Sequence, residues 1–453
     1  MTKLLQETIF KNIMLNKYLF KQIDNSGLIL FRVVFGLLIT LEAFGAIATG
    51  WVHDVFIEPE FTFSFIGFEW LQPLPGNGMY FYFALMGIFG FLVMIGYTYR
   101  FSIICYTIMW TGVYLMQKSA YNNHYYLLAL LLFLMSFLPA HRWLSVDALT
   151  NSKIKSSSMS RWCALVIILQ IWIVYTYASI AKLYPDWLDA SMAKILMSSK
   201  ADYWIIGGFL QQDWVHWSIA YTGILFDLLI VPLLLWKHTR MFGFIISIFF
   251  HLFNSIVFQI GIFPYMSIAF ALFFFTPKIL QHRFLPKKEF YTKGEILVPT
   301  YKKPLLILFS MYFLVQIALP LRHWAIEDTV LWTEEGHRLS WRMMLRSKSG
   351  SARVHVVDKK TCETTRIDIY NLLSKKQYQS LPTHPDFMWQ YAQRLKKQYA
   401  AIGKDVAVYF DVKVSVNRRP LQQFTNPNVD LAAEKWHPFK HHNWILPSNF
   451  AKE

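Results

Sequence analysis

The sequence predicts a polytopic α-helical membrane protein with about nine transmembrane helices and a C-terminal, non-cytoplasmic domain that is α+β or mostly β. Three observations predict it. Of the 453 residues, 55% are hydrophobic and only 16% are charged, where soluble domains carry about 25% charged residues. Apolar runs approaching the roughly 20 residues that cross a bilayer recur as far as Pro320. Basic clusters fall between alternate runs, as in cytoplasmic loops. The formal charge of +16 therefore calls for no nucleic acid, because cytoplasmic loops and anionic lipid headgroups are reason enough for it.

Residues 1–27 scatter their charges and lack a clean apolar core, so they read as a cytoplasmic amphipathic lead-in rather than a signal peptide. The membrane domain is expected over 28–320, with runs at 28–48, 79–97, 101–117, 124–138, 162–181, 217–236, 241–260, 262–275 and 304–320. The fourth and eighth are short, and are expected to be re-entrant or shielded by neighbours. Lys3, Lys11, Lys17 and Lys21 precede the first run, while loop 49–78 holds no Lys or Arg. Arg142, Lys153, Lys155 and Arg161 follow the fourth run, Lys237 and Arg240 the sixth, and Lys278 to Lys303 the eighth. With nine crossings every basic cluster lies on one side. The N-terminus is then cytoplasmic, and residues 321–453 are periplasmic at a bacterial inner membrane, or lumenal in the endoplasmic reticulum.

That tail reads as a separate folded domain. The stretches Arg353–Val357 and Val406–Val412 alternate as strands do, and a helical pattern around Phe387–Ala401 carries Arg394, Lys396 and Lys397 on its polar side. With 21 Lys and Arg against 13 Asp and Glu, the tail is expected to gather an acidic polypeptide, unless the surplus is a solvated surface. Three cysteines, Cys105, Cys163 and Cys362, cannot build a disulfide framework.

Strongly polar groups at membrane depth are costly and point to function. Lys182 closes the fifth run. It either snorkels to the headgroups or is buried, held neutral and used as a base. Moving a lysine from about 10.4 to near 7 costs about 4–5 kcal/mol, which an apolar pocket can impose. Asn122, Asn123 and His124 open the fourth run; one asparagine is explained by helix capping, but not all three residues. His251 and Asn254 share a helix face, for helix pairing or for a ligand. Arg32, Glu42 and Asp227 are expected as buried charge partners or gate residues. No metal is expected, since no carboxylate or thiolate has ligand spacing near the histidines and His441-His442 looks like surface.

These residues lie in stretches through which nearly the whole chain resembles the vitamin K-dependent γ-glutamyl carboxylases. They are Asn122 to Leu127, Ala181-Lys182-Leu183 to Asp186-Trp187, Phe250-His251 to Asn254-Ser255, Leu321-Arg322-His323, Val330 to Leu345 and Trp444 to Pro447. The string Trp332-Thr333-Glu334-Glu335-Gly336-His337-Arg338-Leu339-Ser340-Trp341-Arg342-Met343-Met344-Leu345 is the most specific. Two departures stand out: the animal members' further C-terminal region is absent, and Ala181 stands where they carry an additional lysine. The compact form reads as bacterial.

The resemblance implies oxidation of vitamin K hydroquinone, of phylloquinone or menaquinone type, by O2 to its epoxide, coupled to carboxylation of protein glutamate by CO2. A neutral lysine takes a phenolic proton, reaction with O2 yields a much stronger alkoxide base, and that base removes the glutamate γ proton. On this resemblance Lys182 is the initiating base, and His124 and Asn123 bond the quinol oxygens or the developing charge. Asn122, His251 and Asn254 belong to the quinol pocket. Trp332, Arg338, Ser340, Trp341 and Arg342 hold the glutamate substrate. The partners are then a glutamate-containing protein and the bilayer. Two alternatives stay open: a hydroquinone epoxidase that carboxylates no glutamate or acts on another carbon acid, and a transporter or scaffold, disfavoured by the lack of an inverted repeat.

Overall fold

The computed structural model describes residues 13–449. The first part of the expected lead-in, including Lys3 and Lys11, lies outside the described residues. Helices occupy all nine expected runs: α1 (Ser26–Ala48), α2 (Gly78–Ile95), α3 (Tyr99–Met116), α4 (Asn123–Phe137), α5 (Trp162–Ile180), α6 (Asp213–Leu235), α7 (Arg240–Phe258), α8 (Phe263–Ala269) and α10 (Lys302–Leu321), with a further helix, α9 (Pro277–Phe284), just beyond the eighth. The expected count of spans is corrected. Among the described residues six helices are long and apolar enough to cross a membrane, namely α1, α2, α5, α6, α7 and α10, or seven if α8 and α9 form one bent span.

The reasons are local. Helix α3 has the length, but Arg100, Tyr99, Tyr106, Tyr114 and two threonines dilute its apolar character. Helix α4 has 15 residues, about 22 Å at 1.5 Å per residue, short of a roughly 30 Å core. The eighth run is not prolonged into a straight span because Pro277, just past it, starts a new helix bent by 114° from the preceding one. Small residues draw the first two helices together: a Cβ on Gly36 would lie 2.4 Å from Met94 backbone atoms.

Contacts between connections sort them into two ends of the bundle. At one end β1 (Gln22–Asp24) pairs antiparallel with β2 (Ser158–Ser160), Lys21 bridges Ile296, and buried Lys288 contacts Asp24 at 2.7 Å. At the other end, loop 49–78 and the segments around Asn123 and Asp186 meet the tail. The Arg- and Lys-free loop is therefore opposite Lys21, Arg161 and Lys288.

The tail forms a four-stranded antiparallel sheet in the order β4-β3-β5-β6, with β3 (Lys348–Asp358), β4 (Thr364–Ile367), β5 (Val406–Val416) and β6 (Gln422–Gln423). Val354 faces Phe410 and Val356 faces Val408, so the alternating valines share one buried face. Helix α11 (Pro385–Ala401) covers that face with Phe387, Met388, Tyr391 and Leu395. The tail does not stand apart, however. Phe63, Tyr184, Trp187, Met192 and Ala220 from the bundle's outer end belong to the same core. The polar side of α11 is also engaged: Arg394 lies 4.0 Å over the Phe61 ring and Lys396 donates to the Ala432 carbonyl.

Candidate active site

The site begins with two helix ends. Asn122, in extended conformation, caps α4 by accepting from the Tyr125 N–H at 2.7 Å. His124 is thereby set in the first turn, stacked on Phe263 at 4.1 Å. Lys182 follows α5 in a turn whose N–H bonds Ser179, and its side chain folds back. Nζ donates to the Ala178 carbonyl at 3.0 Å and to Asp227 Oδ2 on α6 at 2.5 Å. Lys182 is 7% exposed and Asp227 6%, so both are out of water. Trp187 lies beneath the amine at 5.6 Å, its indole held by the Ala220 carbonyl. On α7, His251 Nε2 is 3.0 Å from the Tyr175 hydroxyl, and Asn254 donates to the Phe250 carbonyl.

Lys182, His124, His251 and Asn254 line one cavity of ≈ 370 Å³, with Asp227 and Tyr175 in its wall and the rings of Phe249, Phe250 and Phe263 around them. That volume lies within the roughly 300–1,000 Å³ usual for small-molecule sites. Phe249 is 69% exposed on the bundle's outer face, so the cavity borders the lipid side between α6 and α7.

A second cavity of ≈ 300 Å³ adjoins it. Lys118, Arg338, Arg342 and Arg346 line it and, among the described residues, no acidic side chain does; His124, Met343 and Met344 belong to both cavities. Behind its walls, Asp386 is ion-paired with Lys118 at 2.5 Å and accepts a hydrogen bond from Arg338 at 2.7 Å. Glu334 is held by both nitrogens of the Arg346 fork and lies 3.8 Å from Lys348. Burial pushes Lys118 down to about 8 and Lys348 to about 7, against the pull of these carboxylates. Burial alone would raise Glu334, but Arg346, His337 and Lys348 outweigh it and hold the carboxyl well below its ordinary value.

The loop that carries Met343 and Met344 is strained. Glu334, Leu339, Trp341 and Met344 all have positive φ, a conformation costing about 1–2 kcal/mol for an L side chain. Bundle side chains hold it there. Tyr121 accepts from the Leu339 N–H at 2.8 Å, Asn123 donates to the Arg342 carbonyl at 3.0 Å, Arg322 donates to the Arg338 carbonyl, and Tyr184 donates to the Leu345 carbonyl.

Residues 20–278 match the family model of the HTTM domain, and residues 301–451 match that of the vitamin K-dependent gamma-carboxylase, lumenal domain. The chain belongs to the vitamin K-dependent gamma-carboxylase family. No solved structure matches it. It is an integral membrane protein of that family, carrying the family's lumenal domain.

The residues singled out in the sequence fall into three groups in this gamma-carboxylase family member. Lys182, His124, His251 and Asn254 meet in the apolar cavity; Asn122, Asn123, Arg338 and Arg342 line the basic one. Trp332, Ser340 and Trp341 line neither. Trp332 donates to the Leu446 carbonyl, Ser340 donates to the Gly336 carbonyl, and Trp341 stacks on Tyr126 at 4.8 Å. Of the expected charge partners, Asp227 pairs with Lys182, while Arg32 donates to the Leu144 carbonyl; Glu42 joins neither. His441-His442 is not surface: both rings donate to Glu335, at 2.7 and 2.6 Å, and His442 is buried. Among the described residues no cluster of three metal-ligating side chains occurs. Lys118, Arg346 and Tyr175 were missed. Lys118, charged and adjacent to the Asn-Asn-His motif, was the one with a visible signal.

Proposed function

We propose that this protein is a vitamin K-dependent γ-glutamyl carboxylase, which couples oxidation of vitamin K hydroquinone by O2 to carboxylation of glutamate in a polypeptide. One observation carries the reading: an apolar, aromatic-walled cavity holding Lys182 meets a basic cavity at His124, Met343 and Met344. A lipid-soluble ring and an anionic side chain thus have adjoining sites of opposite character.

The hydroquinone, as co-substrate, supplies with O2 the base strength that no side chain has. The protein's part is to bind, orient and keep dry. Phe250, Phe263 and Trp187 offer ring faces to an aromatic quinol, and the lipid-facing border between α6 and α7 admits its isoprenoid tail. Lys182 receives the hydroxyl proton. The His124 imidazole forms no hydrogen bond among the described residues, which leaves its nitrogens for a reacting oxygen. Arg338, Arg342, Arg346 and Lys118 draw the glutamate carboxylate towards the junction. The enclosing loop excludes water, which would quench a carbanion before CO2 reached it. The tail and loop 49–78 then face the periplasm or lumen and the β1–β2 end faces the cytoplasm, because the basic clusters lie there.

The test is incorporation of labelled CO2 into a glutamate-containing peptide by purified protein, with and without hydroquinone. Hydroquinone-dependent label in glutamate supports the proposal; epoxide formed without label defeats it.

A further inference from the structure

The lysine assigned as base is bonded, at rest, to a carboxylate. Lys182 Nζ lies 2.5 Å from Asp227 Oδ2, and both side chains are more than nine-tenths buried. An ammonium and a carboxylate buried side by side join in a charge-assisted hydrogen bond, ordinarily of about 2.7–2.9 Å, and this contact is at least that close. An ammonium has no lone pair, so Lys182 can accept a proton only as it gives one up. Its two bonded acceptors are the Ala178 carbonyl, which does not hold a proton, and Asp227 Oδ2, which does.

We infer that Asp227 is the terminal proton acceptor of the site: as a hydroxyl proton of the bound hydroquinone passes to Lys182 Nζ, an Nζ proton passes along the 2.5 Å bond to Asp227 Oδ2. This rests on the reading of Lys182 given above. The step balances. One O–H bond of the co-substrate breaks and one O–H bond forms on Asp227; Lys182 ends, as it began, as an ammonium. The electron pair stays on the hydroquinone oxygen, now beside that ammonium. No net charge is created in the cavity, because the negative charge moves from one oxygen to another around a fixed cation. Separating new charge there would cost several kcal/mol per ion. The other titratable groups facing the pair are Tyr175 on α5, His251 on α7 and His124 on α4. Tyr175 and His251 are bonded to one another rather than to the pair. Asp227 is thus a relay and positioning residue, acting through Lys182.

The experiment is infrared difference spectroscopy of the whole protein as hydroquinone binds without O2 or CO2, alongside epoxide formation in Asp227→Asn and Asp227→Glu. A newly protonated carboxyl band is expected in wild type, absent in Asp227→Asn and moved in frequency in Asp227→Glu. Epoxide formation falls by about 10²–10⁴-fold in Asp227→Asn, the usual range for losing an acid–base group, and returns in large part in Asp227→Glu. Should Asp227→Asn not fold, the moved band in Asp227→Glu still decides: an unmoved band assigns the proton elsewhere and overturns the inference. Asp227→Asn activity near wild type, with its acid limb displaced to lower pH, also overturns it, because Lys182 then sheds its proton unaided. Wild-type epoxidation without labelled CO2 would instead defeat the carboxylase reading and leave the relay standing.

Discussion

Asn123→Ala separates a positioning role from a catalytic one. Asn123 is buried, accepts from the Tyr121 hydroxyl at 3.0 Å and donates to the Arg342 carbonyl at 3.0 Å. Truncation leaves the Arg342 carbonyl without this donor in a dry setting, at about 1–3 kcal/mol, and loses a second bond of about 0.5–1.5 kcal/mol. The sum is about 1.5–4.5 kcal/mol, applied to a loop already strained by four left-handed residues. If that energy holds Met343 and Met344 between the cavities, kcat/KM for a glutamate peptide falls by roughly 10- to 1,600-fold, at about 1.4 kcal/mol per decade. The KM for hydroquinone stays put, because Asn123 lines the basic cavity and not the apolar one. Steady-state kinetics with each substrate varied in turn measures both. A raised hydroquinone KM with peptide kinetics unchanged would refute the positioning argument.

Glu334→Gln leaves the Arg346 and Lys348 charges uncompensated beside a buried amide. It is expected to cost about 3–5 kcal/mol, read as a clear drop in unfolding temperature; a melt unchanged from wild type would contradict it. The Glu335 bonds to His441 and His442 give a pH signature. Those bonds raise His441 above its ordinary 6.5, and the histidines hold Glu335 below its ordinary 4.5 although burial opposes them. A raised histidine stabilises below its unfolded value and that stability is lost as pH rises through the raised value; a depressed carboxyl stabilises above 4.5 and is lost on acidification. Proteolytic nicking of segment 437–449 is therefore slowest between about pH 4.5 and 6.5 and quickens towards alkaline pH, whereas Glu335→Gln is nicked fast throughout. A flat wild-type profile would contradict this role for the Glu335 bonds to His441 and His442.

The bundle was legible because apolar runs and basic clusters are local properties: each expected run contains a helix, and β1–β2 and Lys288–Asp24 join the basic connections at one end. The number of spans was less legible. Run length alone does not register the polar dilution of α3, the shortness of α4 or the break at Pro277. Lys182, His124, His251 and Asn254, which line one cavity, were legible as candidates because each is polar in an apolar setting. Asp227 was seen on the same ground, but its bond to Lys182 spans 45 residues and no periodicity links them. The string Trp332 to Leu345 illustrates the opposite limit. Its specificity was visible, yet Trp332, Ser340 and Trp341 build a strained, buried loop, while Arg338, Arg342 and the later Arg346 face the cavity. Sequence does not say which residues of a motif hold the backbone and which touch a ligand. The tail's independence was overstated for a related reason, since its core is completed by Phe63, Tyr184 and Trp187 from the bundle.

The central claim is that Lys182, in an apolar cavity adjoining a basic one, links hydroquinone oxidation to glutamate carboxylation. It is tested most directly by measuring epoxide and labelled CO2 together in wild type, Lys182→Ala and Lys200→Ala, the last a partly buried lysine bonded to Tyr203 and outside both cavities. Both products are expected to form together in wild type and Lys200→Ala, and to fall together by about 10²–10⁴-fold in Lys182→Ala. Undiminished epoxide and label in Lys182→Ala would contradict it.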